Sequence, residues 1–185
     1  AVPFKDPGNY VHVSRRLAEE MALLEPAGAV WANQFDNVAN REGHRQTTGP
    51  EIWEQTGGKV THVVAGVGTS GTVGGVSAAL RPRGVRIVAG QPDDPLHGIE
   101  GWKHMATALR PAIWDERLAD LHAVANTEAA FAMAKRLARE EGVFSGPSGG
   151  AAVAAGVRVA REHAGVIVVL IADGGERYLS TPLWE

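Results

Sequence analysis

The feature that most constrains this chain is an apolar segment that passes through a glycine-rich turn into a second apolar segment. The run at 63–65 leads into a turn at 68–72, and an Ala/Val-rich stretch follows as far as Leu80. This order predicts a strand, a tight turn and the N-terminus of a helix. The first N–H groups of a helix lack internal partners, and the helix dipole favours negative charge there. The turn is therefore a candidate anion site, and a bare strand-to-helix turn is the alternative.

Strand-like and helix-like patterns alternate along the rest of the chain. The predicted strands span residues 29–32, 63–65, 85–89, 121–125 and 166–171. Helices are predicted over 8–25, after Thr47, after the turn at 68–72, from Thr127, and from the loop at 144–150 to about Glu162. The polar segment 33–45 is predicted to be a loop. This alternation predicts an α/β fold, a parallel sheet with helices on both faces.

Charge and composition argue against several classes of function. The net charge is only −3 and bases are interspersed with acids, so no basic stripe indicates nucleic-acid binding. The longest apolar run, residues 164–172, is too short to span a bilayer. The chain has no cysteine, and its seven histidines show no ligand spacing, so we predict no metal site. The lack of cysteine favours a cytoplasmic location.

A second small-residue loop, residues 144–150, opens another Ala/Val-rich helix. In a parallel sheet, two helix-opening loops can meet at the carboxyl edge, where ligands collect. Ser148 is then a hydroxyl presented toward a bound ring, and a plain N-cap serine is the alternative.

Motifs in order from residue 33 to residue 181 resemble the pyridoxal-phosphate-dependent cysteine synthases, which belong to the fold type II β-family. The motifs are Asn33-Gln34-Phe35-Asp36-Asn37, His44 before the segment 47–53, the turn 68–72, His97-Gly98-Ile99-Glu100-Gly101, Ser148-Gly149-Gly150 and the segment 173–181. Gly142-Val143-Phe144 and Gln91-Pro92 resemble the B-type enzymes. The resemblance implies the synthesis of L-cysteine from O-acetyl-L-serine, or a similar activated serine, and sulfide.

The resemblance also implies roles for individual residues. The cofactor is pyridoxal 5′-phosphate, and its phosphate is held by Gly68, Thr69, Ser70, Gly71 and Thr72. Ser148 shares a hydrogen bond with the pyridine nitrogen, and a neutral hydroxyl there suits β-elimination and β-replacement. Gln34 contacts the substrate carboxylate, and Gly101 lies in the loop that lines the entrance of the site. A homodimer, with serine acetyltransferase as a possible partner, is implied too.

One part of the family pattern is absent from this chain. The lysine that the family joins to the cofactor as a Schiff base lies in an S-x-K-D-R motif, followed by a T-S-G-N-T-G loop, and neither motif occurs here. Lys5 mimics the motif but lies too close to Gln34. We therefore assign no catalytic residue. We expect a C-terminal fragment that is inactive alone: residues 1–40 end the smaller N-terminal domain, and residues 41–185 form an incomplete C-terminal cofactor domain.

Two alternatives stay open at this point. Within the same enzyme class, the whole protein is a cystathionine β-synthase or a serine/threonine dehydratase. In a different class, the chain is a non-catalytic module that binds an anion or a protein partner.

Overall fold

The computed structural model describes residue 2 and residues 4–185, and a parallel sheet lies at its centre. The strands of this sheet are β1 (Val60–Gly66), β2 (Arg86–Pro92), β3 (Leu121–Ala125) and β4 (Val166–Val169). Their order is β3-β2-β1-β4, and every pairing is parallel. The chain leaves β1 toward β2 on one side and returns with β4 on the other. This reversal next to β1 opens a crevice at the carboxyl ends of β1 and β4.

Helices cover both faces of the sheet. The α-helices of the described residues are α1 (Tyr10–Leu24), α2 (Val38–Gln46), α3 (Thr48–Gln55), α4 (Gly71–Leu80), α5 (Thr127–Arg136) and α6 (Pro147–Glu162). Of these, α4 and α6 lie directly against the strands. A π-helical turn at Leu137–Glu141 continues α5. None of the helices described is both long enough and apolar enough to cross a membrane.

Alternate residues of the central strands form a core on each side of the sheet. Val63 and Ile87 pack with the apolar side chains of α4 on one face. Val64 and Val88 pack with Ala155 of α6 on the other. The helices α2 and α3 pack against the outer side of α4, and α5 packs against α6. The predicted α/β class, a parallel sheet with helices on both faces, is confirmed.

Two predictions are wrong in the segment before β1. Residues 29–32 contain no strand, since they pair with none of the strands described. Residues 33–45 are not a continuous loop, because α2 occupies most of the segment. Asn37 caps this helix by accepting a hydrogen bond from the backbone N–H of Ala39, 3.0 Å away, and α4 supplies a packing surface.

Thr47 stands at the junction between α2 and α3. Thr47 occupies the N-cap position, but its side chain makes no capping hydrogen bond. The hydroxyl instead donates to the carbonyl oxygen of Gly43, 2.9 Å away in α2. Thr47 therefore joins α2 to α3 and does not satisfy the first N–H groups of α3.

Candidate functional site

The turn between β1 and α4 lies at the carboxyl edge of the sheet. Ser70 precedes α4 and adopts a left-handed conformation, with φ of 71°. The residue is 2% exposed and, among the described residues, its hydroxyl has no hydrogen-bond partner. A buried hydroxyl is costly unless it finds a partner. The turn therefore holds an unsatisfied hydroxyl beside the first N–H groups of a helix, which have no partner within the helix.

A second loop, which follows β2, closes against this turn. The backbone N–H of Lys103 donates to the carbonyl oxygen of Val67, 2.8 Å away. A Cβ atom at Gly68 would overlap the carbonyl oxygen of Gly101. Glycine at position 68 therefore allows the two loops to approach this closely.

Trp102 forms the floor between these loops and the sheet. Gly66 and Gly90 are paired in the β1–β2 register, and a Cβ atom on either residue would overlap the indole. Trp102 is consequently only 7% exposed, although its ring lies at the carboxyl edge of the sheet. The missing side chains of two paired strand residues create the space that the indole occupies.

The helix α6 brings Ser148 to the same edge, because α6 must return the chain to the start of β4. The Ser148 hydroxyl donates to Oδ1 of Asp173, 3.3 Å away. The Tyr178 hydroxyl donates to Oδ2 of the same carboxylate. Burial, with a further contribution from Asp173, raises the pKa of Tyr178. Tyr178 therefore stays protonated at neutral pH and donates to the Asp173 carboxylate.

Side chains of α2 hold the two threonine hydroxyls of the turn. Asn40 donates through Nδ2 to Oγ1 of Thr69, 2.9 Å away. One helical turn later, Nε2 of His44 lies 3.1 Å from Oγ1 of Thr72. Burial lowers the pKa of His44. The helix that the sequence pattern did not predict thus positions both threonines.

These elements enclose a cavity of about 760 Å³. The residues predicted for the site that line this cavity are Gln34, Gly68, Thr69, Ser70, Thr72, Gly101 and Ser148. Gly71 is not among the lining residues; it is the buried first residue of α4. The structure therefore brings the motifs from four parts of the chain to one place.

The cavity is also lined by residues that were assigned no role from the sequence pattern. Asp173 and Tyr178 lie in the segment 173–181 that carried part of the resemblance, so a signal existed for them. Trp102 had no such signal, because its burial depends on the glycine pair below it.

The two ends of the cavity differ in chemistry. The end at α4 offers backbone N–H groups and the hydroxyls of Thr69, Ser70 and Thr72. The opposite end carries Ser148, Asp173 and other charged residues of the segment 173–178. This arrangement suits a small molecule with an anionic group at α4 and a polar atom near Ser148.

Known proteins resemble this chain in sequence and in structure. The family model described as "Pyridoxal-phosphate dependent enzyme" matches residues 4–174. The chain is 41% identical over 173 residues to a cysteine synthase of Aquifex aeolicus (strain VF5), covering 90% of this chain and 53% of that protein. It is 43% identical over 181 residues to a cysteine synthase B of Pseudomonas aeruginosa, covering 93% and 58%.

A solved structure shows the same relationship. A cysteine synthase from Entamoeba histolytica aligns with a TM-score of 0.81 at 34% identity, covering 92% of this chain and 53% of that one. The chain thus spans little more than half the length of the curated relatives it matches.

Proposed function

Because the chain belongs to the family of pyridoxal-phosphate dependent enzymes, we propose that its cavity binds pyridoxal 5′-phosphate, with the phosphate at the start of α4. The observation that carries this proposal is the buried, unsatisfied hydroxyl of Ser70. It lies beside a helix N-terminus, and a phosphate oxygen is the acceptor that this hydroxyl lacks. A cavity of about 760 Å³ lies within the usual range for cofactor sites.

The residues of the chain hold the cofactor at both ends in this proposal. Gly68, Thr69, Ser70, Gly71 and Thr72 bind the phosphate through backbone N–H groups and hydroxyls. Ser148 faces the ring nitrogen, and its hydrogen bond to Asp173 fixes the direction of its hydroxyl. When bound, the cofactor supplies an electron sink for reactions at the α- and β-carbons of an amino acid.

The substrate side of the cavity is assigned to Gln34 and Gly101. Gln34 contributes an amide that suits the carboxylate of an amino acid. Gly101 and Trp102 line the cavity from the loop after β2, so they exclude water from that side of it.

We propose further that the whole protein is a cysteine synthase, an O-acetylserine sulfhydrylase. It replaces the acetoxy group of O-acetyl-L-serine by sulfide: the Cβ–O bond breaks, a Cβ–S bond forms, and L-cysteine and acetate are released. Relatives at 40–43% identity are cysteine synthases, and several of them are of type B. These relatives do not favour a cystathionine β-synthase or a dehydratase, and the match to an enzyme family disfavours a non-catalytic module.

The lysines of the chain bear on how the cofactor is held. None of Lys5, Lys59, Lys103 and Lys135, all of which are described, lines the cavity. Lys103 comes nearest along the chain, but its ammonium lies 4.6 Å from the centroid of the Phe35 ring and donates to the carbonyl oxygen of Leu109. We therefore propose that this chain binds the cofactor without a covalent bond and does not catalyse the reaction alone.

Equilibrium dialysis tests the proposal with pyridoxal 5′-phosphate and, as the matched control, pyridoxal. We expect saturable binding of the phosphate ester and at least tenfold weaker binding of pyridoxal, because the control lacks the anion. Borohydride treatment followed by mass spectrometry should find no pyridoxyl-lysine. Equal retention of the two compounds would contradict the phosphate site, and a modified lysine would contradict noncovalent binding.

We also propose the assembly and location of the protein. Residues 1–40 belong to the N-terminal domain and residues 41–185 to the C-terminal cofactor domain.

In α1 no residue is buried, and Leu23 and Leu24 are 87% and 77% exposed. This apolar surface supports association, for which we propose a homodimer. The proposed cytoplasmic location rests on the lack of cysteine. Binding to serine acetyltransferase rests on the family resemblance alone, and co-purification tests it.

A further inference from the structure

His44 connects two threonine hydroxyls that lie on different helices. Its Nδ1 is 2.9 Å from Oγ1 of Thr48, the first residue of α3. Its Nε2 is 3.1 Å from Oγ1 of Thr72, in the first turn of α4. Thr72 lines the cavity and His44 does not. The imidazole is thus separated from a ligand at the start of α4 by the Thr72 hydroxyl alone.

The donor and acceptor roles in this chain decide what Thr72 can offer to a ligand. A hydroxyl has one proton, and a neutral imidazole has one N–H and one bare nitrogen. If Nε2 accepts, Thr72 spends its proton on the ring and presents only lone pairs to the cavity. If Nε2 carries the proton and donates, the Thr72 hydroxyl keeps its own proton for the ligand. A hydrogen bond from Thr72 to an anion requires the second arrangement.

We propose that His44 is a positioning residue for the phosphate, whose Nε2–H donates to Thr72 so that the Thr72 hydroxyl donates to the bound anion. This inference rests on the proposed phosphate site. The unsatisfied hydroxyl of Ser70, 2% exposed, supports an anion there independently of His44.

The surroundings of His44 couple this role to pH. No residue of α4 is ionisable, while α3 carries Glu51 and Glu54, and α2 itself carries Arg41, Glu42 and Arg45. Burial alone lowers the pKa of His44, with no contribution from these charges. The imidazole is therefore neutral at pH 7 in the free protein.

A bound dianion favours the cationic imidazole, in which both nitrogens donate. Binding then raises the pKa of His44 and takes up a proton from solvent. The direction in which affinity changes with pH follows from thermodynamic linkage. Affinity increases as pH falls through the pKa of the bound form, and it levels off below the lower pKa of the free form.

Nuclear magnetic resonance of the full chain with 15N-labelled histidine tests the proposal, with inorganic sulfate as a dianion that does not itself titrate near neutral pH. We expect sulfate to leave Nε2 of His44 protonated and to move its titration to higher pH. His122, which is exposed on β3, should not change. A bare Nε2 in the sulfate-saturated protein would overturn the proposal. Failure of the chain to bind either sulfate or pyridoxal 5′-phosphate would overturn the phosphate site itself, and this inference with it.

Variants separate positioning from a purely structural role. His44→Leu should weaken the binding of pyridoxal 5′-phosphate about threefold to tenfold, and should add nothing once Thr72→Ala is present. His44→Gln retains an N–H donor but cannot titrate. It should bind within twofold of the wild type at pH 8 and lose the gain in sulfate affinity at acid pH.

His122→Gln is the matched control and should keep the gain in sulfate affinity at acid pH. If His44→Leu does not fold, His44→Gln still decides the question. An unchanged pH profile of sulfate binding in His44→Gln would refute the inference, as would an equal effect of His44→Leu with and without Thr72.

Discussion

Replacement of Ser70 by alanine should stabilise the cofactor-free protein and weaken its binding of pyridoxal 5′-phosphate. The two effects have opposite signs because one atom causes both. The Ser70 hydroxyl has no partner in the free protein, and in the proposed complex it donates to the phosphate. A residue retained for binding would then reduce the stability of the empty site.

The structure sets the size of both effects. Ser70 is 2% exposed, so its hydroxyl loses its contact with water when the protein folds. Removal of such a group should increase the free energy of unfolding by about 1 kcal/mol, or about 2–4 °C in Tm for a chain of this length. Loss of a hydrogen bond to a charged phosphate is worth about 1.5–3 kcal/mol, a decrease in affinity of about tenfold to a hundredfold. The left-handed backbone at Ser70 is equally strained for both side chains, so it does not alter the comparison.

A matched control is available in Ser145. Its hydroxyl is also buried and, among the described residues, without a hydrogen-bond partner, but the residue does not line the cavity. Ser145→Ala should therefore raise Tm by a similar amount and leave cofactor affinity unchanged. Thermal unfolding without ligand and equilibrium dialysis with pyridoxal 5′-phosphate measure the two quantities for each variant.

Two results would refute the reasoning. A lower Tm of Ser70→Ala without ligand would show that the hydroxyl is satisfied in the free protein. Equal cofactor affinity of Ser70→Ala and the wild type would show that Ser70 does not contact the phosphate.

Three further predictions concern the rest of the site and its support. Tyr178→Phe removes a donor to the Asp173 carboxylate, so cofactor affinity should fall about threefold to tenfold; unchanged affinity in dialysis would show that Tyr178 does not position this carboxylate. Gly68→Ala places a Cβ against the loop at Gly101 and should lower the free energy of unfolding by about 1–3 kcal/mol in denaturant titrations. Its cofactor affinity should be at least tenfold lower. A variant as stable as the wild type would mean that the two loops can separate at no cost. Leu80→Ala leaves a cavity at a fully buried position at the far end of α4 and should lower the free energy of unfolding by about 2–5 kcal/mol. Under conditions in which the variant is folded, its cofactor affinity should equal that of the wild type. A large loss of affinity would show that the core and the site are coupled.

The sequence predicted the sheet well because its strands are short apolar runs between polar residues. The bounds predicted for β3, residues 121–125, agree with the structure. The run at 29–32 has the same local character and is not a strand, because a strand also requires a neighbour with which to pair. The helix α2 was missed for a related reason. Its residues are mostly polar, and it depends on the Asn37 cap and on packing against α4.

The sequence predicted residues that line the cavity, but it did not predict the hydrogen bonds that orient them. Motifs indicated residues such as Thr72 and Ser148, and the structure brings them to one cavity. The hydrogen bonds that orient these hydroxyls come from His44 and Asp173, which lie 28 and 25 residues away along the chain. Spacing in a sequence does not predict such partners, since the partners depend on how helices and strands pack.

The position of Trp102 gives the cavity an optical reporter of its own. Its indole fills the space above Gly66 and Gly90 and lines the cavity, whereas Trp31, Trp53, Trp114 and Trp184 do not line it. A chromophore bound in the cavity would therefore quench the emission of one tryptophan in five far more than that of the others. The glycine pair that admits the ring has thus placed a spectroscopic probe at the site, and occupancy can be followed in the unlabelled chain.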